Sequence, residues 1–293
     1  RLPSLRPLAI VRRRLTYPGT ADPVTTLSLT RARTAARPLV SLVLPAYNPG
    51  PSIEGTWRAV RDFVRVRPDP WEAVFVLDGC TDGTADRLAG LASEFPDPRL
   101  RVLSHAPNRG KGFAVRRGLL AARGAYRIFT DVDLAYSFDD IARVADELRH
   151  GAAVAIASRD HPESVVQVPA SRLGYAFRRW LQSRLFGAAA RRLLPVTQRD
   201  TQAGLKGMAA AVADGLLPAL RCDGFGFDCE LLTACARLGV PVAEVPVCVR
   251  YEGRGSTTGP GSGLRMVCEL WRIRRTWPRA AAVPTAEPLA EAA

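Results

Sequence analysis

Ala125-Tyr126-Arg127-Ile128-Phe129-Thr130-Asp131-Val132-Asp133 reads as a β-strand that ends on two carboxylates. Positions i and i+2 of a strand point to the same side, so Asp131 and Asp133 would present their oxygens together. Such a pair suits a hard divalent cation, Mg²⁺ or Mn²⁺, which commonly completes its shell with substrate phosphates. The spacing points to chemistry on a nucleotide diphosphate. Asp-x-Asp also caps helices and decorates turns, so the surrounding elements must decide.

Working outward, residues 39–44 form a continuous apolar strand stopped by Pro45, and a helix follows over 52–65. A second strand over 73–77 leads into the turn 78–83 and a helix over 84–93. A third strand, 100–104, precedes the glycine-bearing loop 108–112 and a helix over 113–123. Ser137 and Asp140 have the spacing of a capping box at the head of a helix over 138–149, and 152–157 is a fifth strand. This alternation predicts an α/β fold: a mainly parallel sheet, helices on both faces, a single catalytic domain. In such sheets the ligand lies beyond the carboxyl ends of the strands. Asp78, Asp131 and Asp133 all fall there.

The chain has 293 residues, 47% apolar, and a net charge of +13. Only Lys111 and Lys206 are lysines; every other cation is arginine. The aromatics (7%) do not interleave with the basic residues as a single-strand binder requires, so no nucleic-acid partner is expected. The six cysteines form no Cys-x-x-Cys pair and no zinc spacing with His105, His150 or His161. Reduced thiols in a cytosolic protein are the expectation. The apolar run at 8–11 is too short for a signal peptide, and no stretch nears the ~20 apolar residues of a membrane span. The chain opens on Arg1, so an upstream segment can be missing. Three regions are expected: a basic arm over 1–37, the catalytic domain over 38–257, and a basic amphipathic helix with a disordered tail over 258–293. Leu173, Phe177, Trp180, Leu181 and Leu185 recur at helical spacing among Arg178, Arg179, Arg184, Arg191 and Arg192. Leu264, Val267, Leu270 and Trp271 do so among Arg265, Arg272, Arg274 and Arg275. Each stripe either packs on the core or lies in an anionic headgroup layer.

Several motifs in order carry a resemblance. They are Val40–Asn48, Asp78–Thr84, Asn108–Gly112, Asp131–Asp133, Ala157–Arg159, Asp200–Lys206, Gly226–Glu230 and Glu244–Val247. Together they resemble the family 2 glycosyltransferases, and within them the polyprenyl-phosphate sugar synthases such as the dolichyl-phosphate β-glucosyltransferases. The resemblance implies a GT-A (Rossmann-like) fold, a nucleotide-sugar donor, Mg²⁺ or Mn²⁺, and an inverting single displacement. Pro45, Ala46 and Tyr47 would form the first loop around the base; strand termination is the plain alternative. Asp78 would accept a hydrogen bond from the base, or bond its own turn. Lys111 would sit near the nucleotide and diphosphate, or be a solvated surface lysine. Asp131 would contact the ribose or the metal, and Asp133 would be the direct metal ligand. Arg159 and Arg172 would hold the acceptor phosphate and the diphosphate, or be solvated; Arg254 falls in a loop expected to close over the diphosphate. Gln202 and Lys206 match further elements near Asp200, which can instead be a helix N-cap. Asp228 would orient the donor sugar or acceptor, or simply favour a helix start. The chain departs from the family pattern at Leu77, Ala135 and Leu205.

The resulting expectation is a hexosyltransferase moving glucose from UDP-glucose to a polyprenyl or dolichyl phosphate, peripheral on the cytoplasmic membrane face. Two alternatives stay open: a hydroxyl acceptor with Asp228 as base, and GDP-mannose as donor.

Overall fold

The computed structural model describes residues 38–169, 171, 173–250 and 262–277. The basic arm, Arg172, Arg254 and the tail over 278–293 lie outside them. In chain order the elements are β1 (Val40–Ala46), α1 (Ser52–Val66), β2 (Trp71–Asp78), α2 (Thr84–Glu94), β3 (Leu100–His105), α3 (Lys111–Ala121), β4 (Tyr126–Phe129) and α4 (Phe138–Arg149). There follow β5 (Val154–Ser158), β6 (Val165–Gln167), α5 (Leu173–Leu193), β7 (Lys206–Ala209), α6 (Ala210–Leu216), α7 (Phe227–Leu238), β8 (Val242–Pro246), β9 (Cys248–Arg250) and α8 (Ser262–Thr276).

Seven strands form one sheet in the order β3-β2-β1-β4-β7-β5-β8. All neighbours are parallel except β7, which runs antiparallel to both β4 and β5. A separate parallel pair joins β6 to β9. The central strands are apolar on both sides because both faces are covered. Val40, Leu42 and Leu44 of β1 pack with Trp57, Phe63, Ile141 and Leu148 of α1 and α4. Val43, with Val74 and Val76 of β2, faces Val115 and Leu119 of α3 and Leu231 and Leu232 of α7.

Winding begins at β1, runs outward through β2 and β3, then returns to place β4 on the other side of β1. That reversal opens a crevice at the carboxyl ends of β1 and β4, where doubly wound sheets bind ligands.

Three expectations change. β1 continues through Pro45 to Ala46, in register with Val76 and Leu77 of β2. Proline is tolerated there because β4 stops pairing opposite Val43. Helix α3 begins at Lys111, so that lysine stands on a helix rather than in a loop. Asp131 and Asp133 follow the end of β4 in a turn closed by the bond from Leu134 N to Asp131 O (3.1 Å). Their placement is set by that turn, not by strand alternation, and the two carboxylates take different partners, Lys111 Nζ for Asp131 and Ala135 N for Asp133. The Ser137–Asp140 capping box is present, with bonds of 3.1 Å in both directions.

Of the two amphipathic stripes, the side chains of Leu173, Arg179, Leu264, Arg265 and Val267 lie outside the described residues. On α5, Phe177, Trp180, Leu181 and Leu185 are exposed. On α8, Leu270 and Ile273 are buried in the core with α7, while Trp271 points outward.

Candidate active site

Three strand ends and the heads of two helices build the cleft. At the end of β2, Asp78 is buried and both its oxygens are occupied. Oδ1 accepts from His105 Nε2 (2.8 Å) and Arg109 N (2.7 Å); Oδ2 accepts from Asn108 Nδ2 (3.0 Å) and Gly110 N (2.9 Å). Burial holds the His105 imidazole below its ordinary pKa despite the carboxylate, so the neutral ring donates. Asp78 thus fixes the loop that delivers Lys111; a base would meet a carboxylate already holding four donors. Pro45 and Ala46 are buried strand residues, and Tyr47 is the first exposed side chain after β1.

Lys111 Nζ lies 2.6 Å from Asp131 Oδ1. Burial works against its charge, but Asp131, Asp228 and Asp133 outweigh burial and raise its pKa above the usual lysine value. One ammonium therefore senses three carboxylates from two strand-end and helix-start segments. Gly204 makes room for this: any side chain there would collide with the Asp131 carboxylate. Asp133 is exposed by area yet stands within the cleft. Limited hydration, then the charge of Asp131, lifts its carboxyl above the ordinary range, although Ala135 N donates to it at 3.2 Å.

Asp228 enters from the first turn of α7. Its Oδ1 accepts from Lys206 Nζ at 2.7 Å, and the same ammonium donates to Ala203 O at 2.5 Å. Lys206 is fully buried and Asp228 nearly so. Beyond β5, Arg159 grips Asp200 through Nε (2.6 Å), Nη2 (3.0 Å) and its backbone N (3.1 Å). Burial opposes ionisation of Asp200, but the Arg159 charge prevails and keeps its pKa low. No helix starts at Asp200; its Oδ1 instead accepts from Gln202 N at 3.1 Å.

The cleft thus gathers Asp131, Asp133, Lys111, Asp228 and Lys206, with the Arg159–Asp200 pair and Gln202 on the β5 side. Asn108 and Gly204 fall within motifs named above but without these contacts, and neither the His105 bond nor the Lys206 partnership with Asp228 was expected. The rarity of lysine was the signal for the last, since both lysines of the chain end up here.

Among the described residues no three His, Cys, Asp or Glu side chains are grouped to hold a metal. Among the described residues, the turn after β4 offers a cation two carboxylates, Asp131 and Asp133. That set fits Mg²⁺ or Mn²⁺ only with diphosphate oxygens and water completing the shell.

The sequence model of glycosyl transferase family 2 matches residues 41–214, more than half of the chain. The chain belongs to that family. Dolichyl-phosphate beta-glucosyltransferase of Dictyostelium discoideum is 30% identical over 250 residues, covering 80% of this chain and 73% of that protein. Its Drosophila melanogaster counterpart is 32% identical over 253 residues, covering 80% and 74%. Among solved structures, glucosyl-3-phosphoglycerate synthase of Mycobacterium tuberculosis with UDP superposes with a TM-score of 0.56 at 23% identity, covering 80% of each chain. A second crystal structure of that enzyme holds Mn²⁺, UDP and glucosyl-3-phosphoglycerate, with a TM-score of 0.54 at 21% identity. The shared architecture is the GT-A fold.

Proposed function

We propose that this chain transfers glucose from UDP-glucose, with inversion, to the phosphate of a polyprenyl or dolichyl phosphate. The observation that carries the reading is the pairing of Lys111 with Asp131, beside Asp133, at the switch point of the sheet. A cation and two carboxylates at that place suit a nucleotide diphosphate and its metal.

In the transfer, an acceptor phosphate oxygen forms a bond to the anomeric carbon while the carbon–oxygen bond to UDP breaks. UDP leaves with the electron pair. The acceptor phosphate is already ionised, so no base need remove a proton. The engagement of Asp228 Oδ1 by Lys206 supports that assignment over a hydroxyl acceptor with Asp228 as base. Asp228 then orients substrate hydroxyls, and Lys111 stands ready to exchange its bond to Asp131 for one to the diphosphate. A divalent ion on Asp133 and Asp131 would neutralise charge on the departing diphosphate. Arg159 and Arg172 are the proposed holders of the acceptor phosphate, and the Asp200 grip fixes the first of them.

The acceptor places the enzyme at a membrane surface. Phe177, Trp180, Leu181 and Leu185 of α5 and Trp271 of α8 are exposed beside exposed Arg178, Arg184, Arg272, Arg274 and Arg275. Such a surface suits an anionic headgroup layer. Among the described residues no helix is long and apolar enough to cross the bilayer. We assign the contact to the cytoplasmic face.

The test is a panel of UDP- and GDP-sugars with Mg²⁺ or Mn²⁺ and a short polyprenyl phosphate, the product read by mass and anomeric configuration. An inverted glucosyl lipid phosphate is expected from UDP-glucose. Glycosylation of a soluble hydroxyl acceptor, with none of the lipid phosphate, would overturn the proposal.

A further inference from the structure

Helix α8 lies far from the strand ends in sequence, yet it reaches the wall of the cleft. Glu269 accepts a hydrogen bond from Gly226 N at 2.7 Å. The same carboxylate presses against Gly224, where any side chain would collide with it. Eight residues on, Trp277 Nε1 donates to Glu230 Oε1 at 3.2 Å. The other oxygen of Glu230 accepts from Arg221 N (2.9 Å) and Cys222 N (2.6 Å). The segment 221–226 is therefore held by two carboxylates, one on α7 and one on α8.

The opposite side of that segment packs on the start of α3. Phe113 N donates to Asp223 O at 3.2 Å, and Arg116 Nη2 bonds Asp223 Oδ1 at 2.5 Å. A Cβ on Gly112 would stand 2.5 Å from Cys222 O and 2.8 Å from Gly224 O. Lys111 is the residue before this contact, and Asp228 is two residues after Gly226. One short segment thus forms a shared wall between the helix heads that carry the two site ion pairs.

We propose that Glu269 is a positioning residue for the transfer. By fixing Gly224 and Gly226 from α8, it sets the spacing of Lys111 and Asp228 across the cleft. The proposal rests on the transferase reading above. The Asp78 loop meets the same segment at Asp223, where Arg109 approaches its carboxylate (4.0 Å) and Gly110 packs on its carbonyl, while Glu269 holds the Gly224–Gly226 end. Loss of Glu269 should therefore loosen the Gly224–Gly226 end and misplace the reacting groups, while Arg116 and Phe113 N still hold Asp223 beside α3, so turnover should suffer more than donor binding.

Three measurements test this. In Glu269→Ala, kcat for glucosyl transfer should fall about tenfold to a hundredfold, with donor KM changed less than about threefold. Glu269→Gln keeps an oxygen acceptor for Gly226 N and should restore most of the turnover; a role in folding alone would not split kcat from KM in this way. In the wild-type protein, the amides of Arg221, Cys222 and Gly226 should be as protected from hydrogen exchange as those of α7. Should Glu269→Ala fail to fold, Gly224→Ala displaces the same segment with the carboxylate retained and should show the same kcat loss. Wild-type turnover in both Ala variants, or exchange of those three amides at the rate of an exposed loop, overturns the proposal. A wild-type protein that transfers sugar from no donor instead sinks the transferase reading, and the exchange result still reports on the strap.

Discussion

Replacing Lys206 with Met tests the buried frame of the site. The ammonium has no solvent exposure and donates at 2.7 Å to Asp228 and 2.5 Å to Ala203 O. Methionine fills similar volume but leaves Asp228 a buried carboxylate without its partner. Breaking one side of a buried pair costs about 3–5 kcal/mol. Lys111 also acts on Asp228, so the loss should lie near the lower end. At roughly 2–4 °C per kcal/mol for a domain of this size, Tm should fall by about 6–12 °C. Lys206→Met/Asp228→Leu removes both charges and should recover most of that fall, because apolar replacement of a whole buried pair is often close to neutral. Calorimetry on the two single variants and the double completes the cycle. A single Lys206 variant melting within about 2 °C of wild type, or a double variant no more stable than the single, would refute the reasoning.

Acid should expose the Arg159–Asp200 pair. The folded Asp200 pKa lies below its ordinary value, so the pair contributes stability above about pH 4 and loses it as pH falls through the folded value. Thermal melts from pH 6 to pH 2.5 should show a steeper acid decline in wild type than in Asp200→Asn; parallel curves would contradict this. At the exposed apolar surface of α5, Trp180→Glu with Phe177→Glu should lower binding to anionic vesicles by about tenfold or more, since partial burial of each ring is worth roughly 1 kcal/mol. Flotation in rising salt should show the arginine share being screened, whereas equal binding of variant and wild type would remove the surface from consideration.

Much of the fold was legible because burial on both faces writes strands as unbroken apolar runs. β1 and β2 are such runs, and each alternation of their residues feeds a different core. The head of α4 was legible because a capping box is local. β7 was not: Lys206-Gly207-Met208-Ala209 has loop-like composition and becomes a strand only between β4 and β5. The Asp131–Asp133 pair was legible as chemistry but not as geometry, since a turn replaces the strand that the spacing suggested. Asp78 stands at the carboxyl end of β2, as the strand pattern indicates, but its four donors come from residues 105–110, a separation no periodicity records. The stripe on α8 was half legible. Helical spacing identifies one face, yet Leu270 turns inward and Trp271 outward because α7 and α5 cover only part of the helix.

The charge balance of the cleft explains why the two lysines and the aspartate pair belong to one design. Three carboxylates, Asp131, Asp133 and Asp228, face two ammonium groups, and the Arg159–Asp200 pair cancels itself. Lys206 is committed to Asp228 and Lys111 to Asp131, which leaves Asp133 as the carboxylate that neither lysine bonds. A nucleotide diphosphate entering such a cleft adds negative charge where one negative charge is already uncompensated. On the proposed reading, Lys111 would turn toward the diphosphate by loosening its bond to Asp131, leaving a second carboxylate beside Asp133. Two carboxylates and two phosphate groups would then share the single ammonium of Lys111. Repulsion between such charges at close range amounts to several kcal/mol at a protein-like dielectric, which a divalent ion held by Asp131 and Asp133 would offset. The proposed exchange would give the pair unequal roles: Asp131 would pass from Lys111 to the ion, whereas Asp133, which neither lysine bonds, would be available from the start.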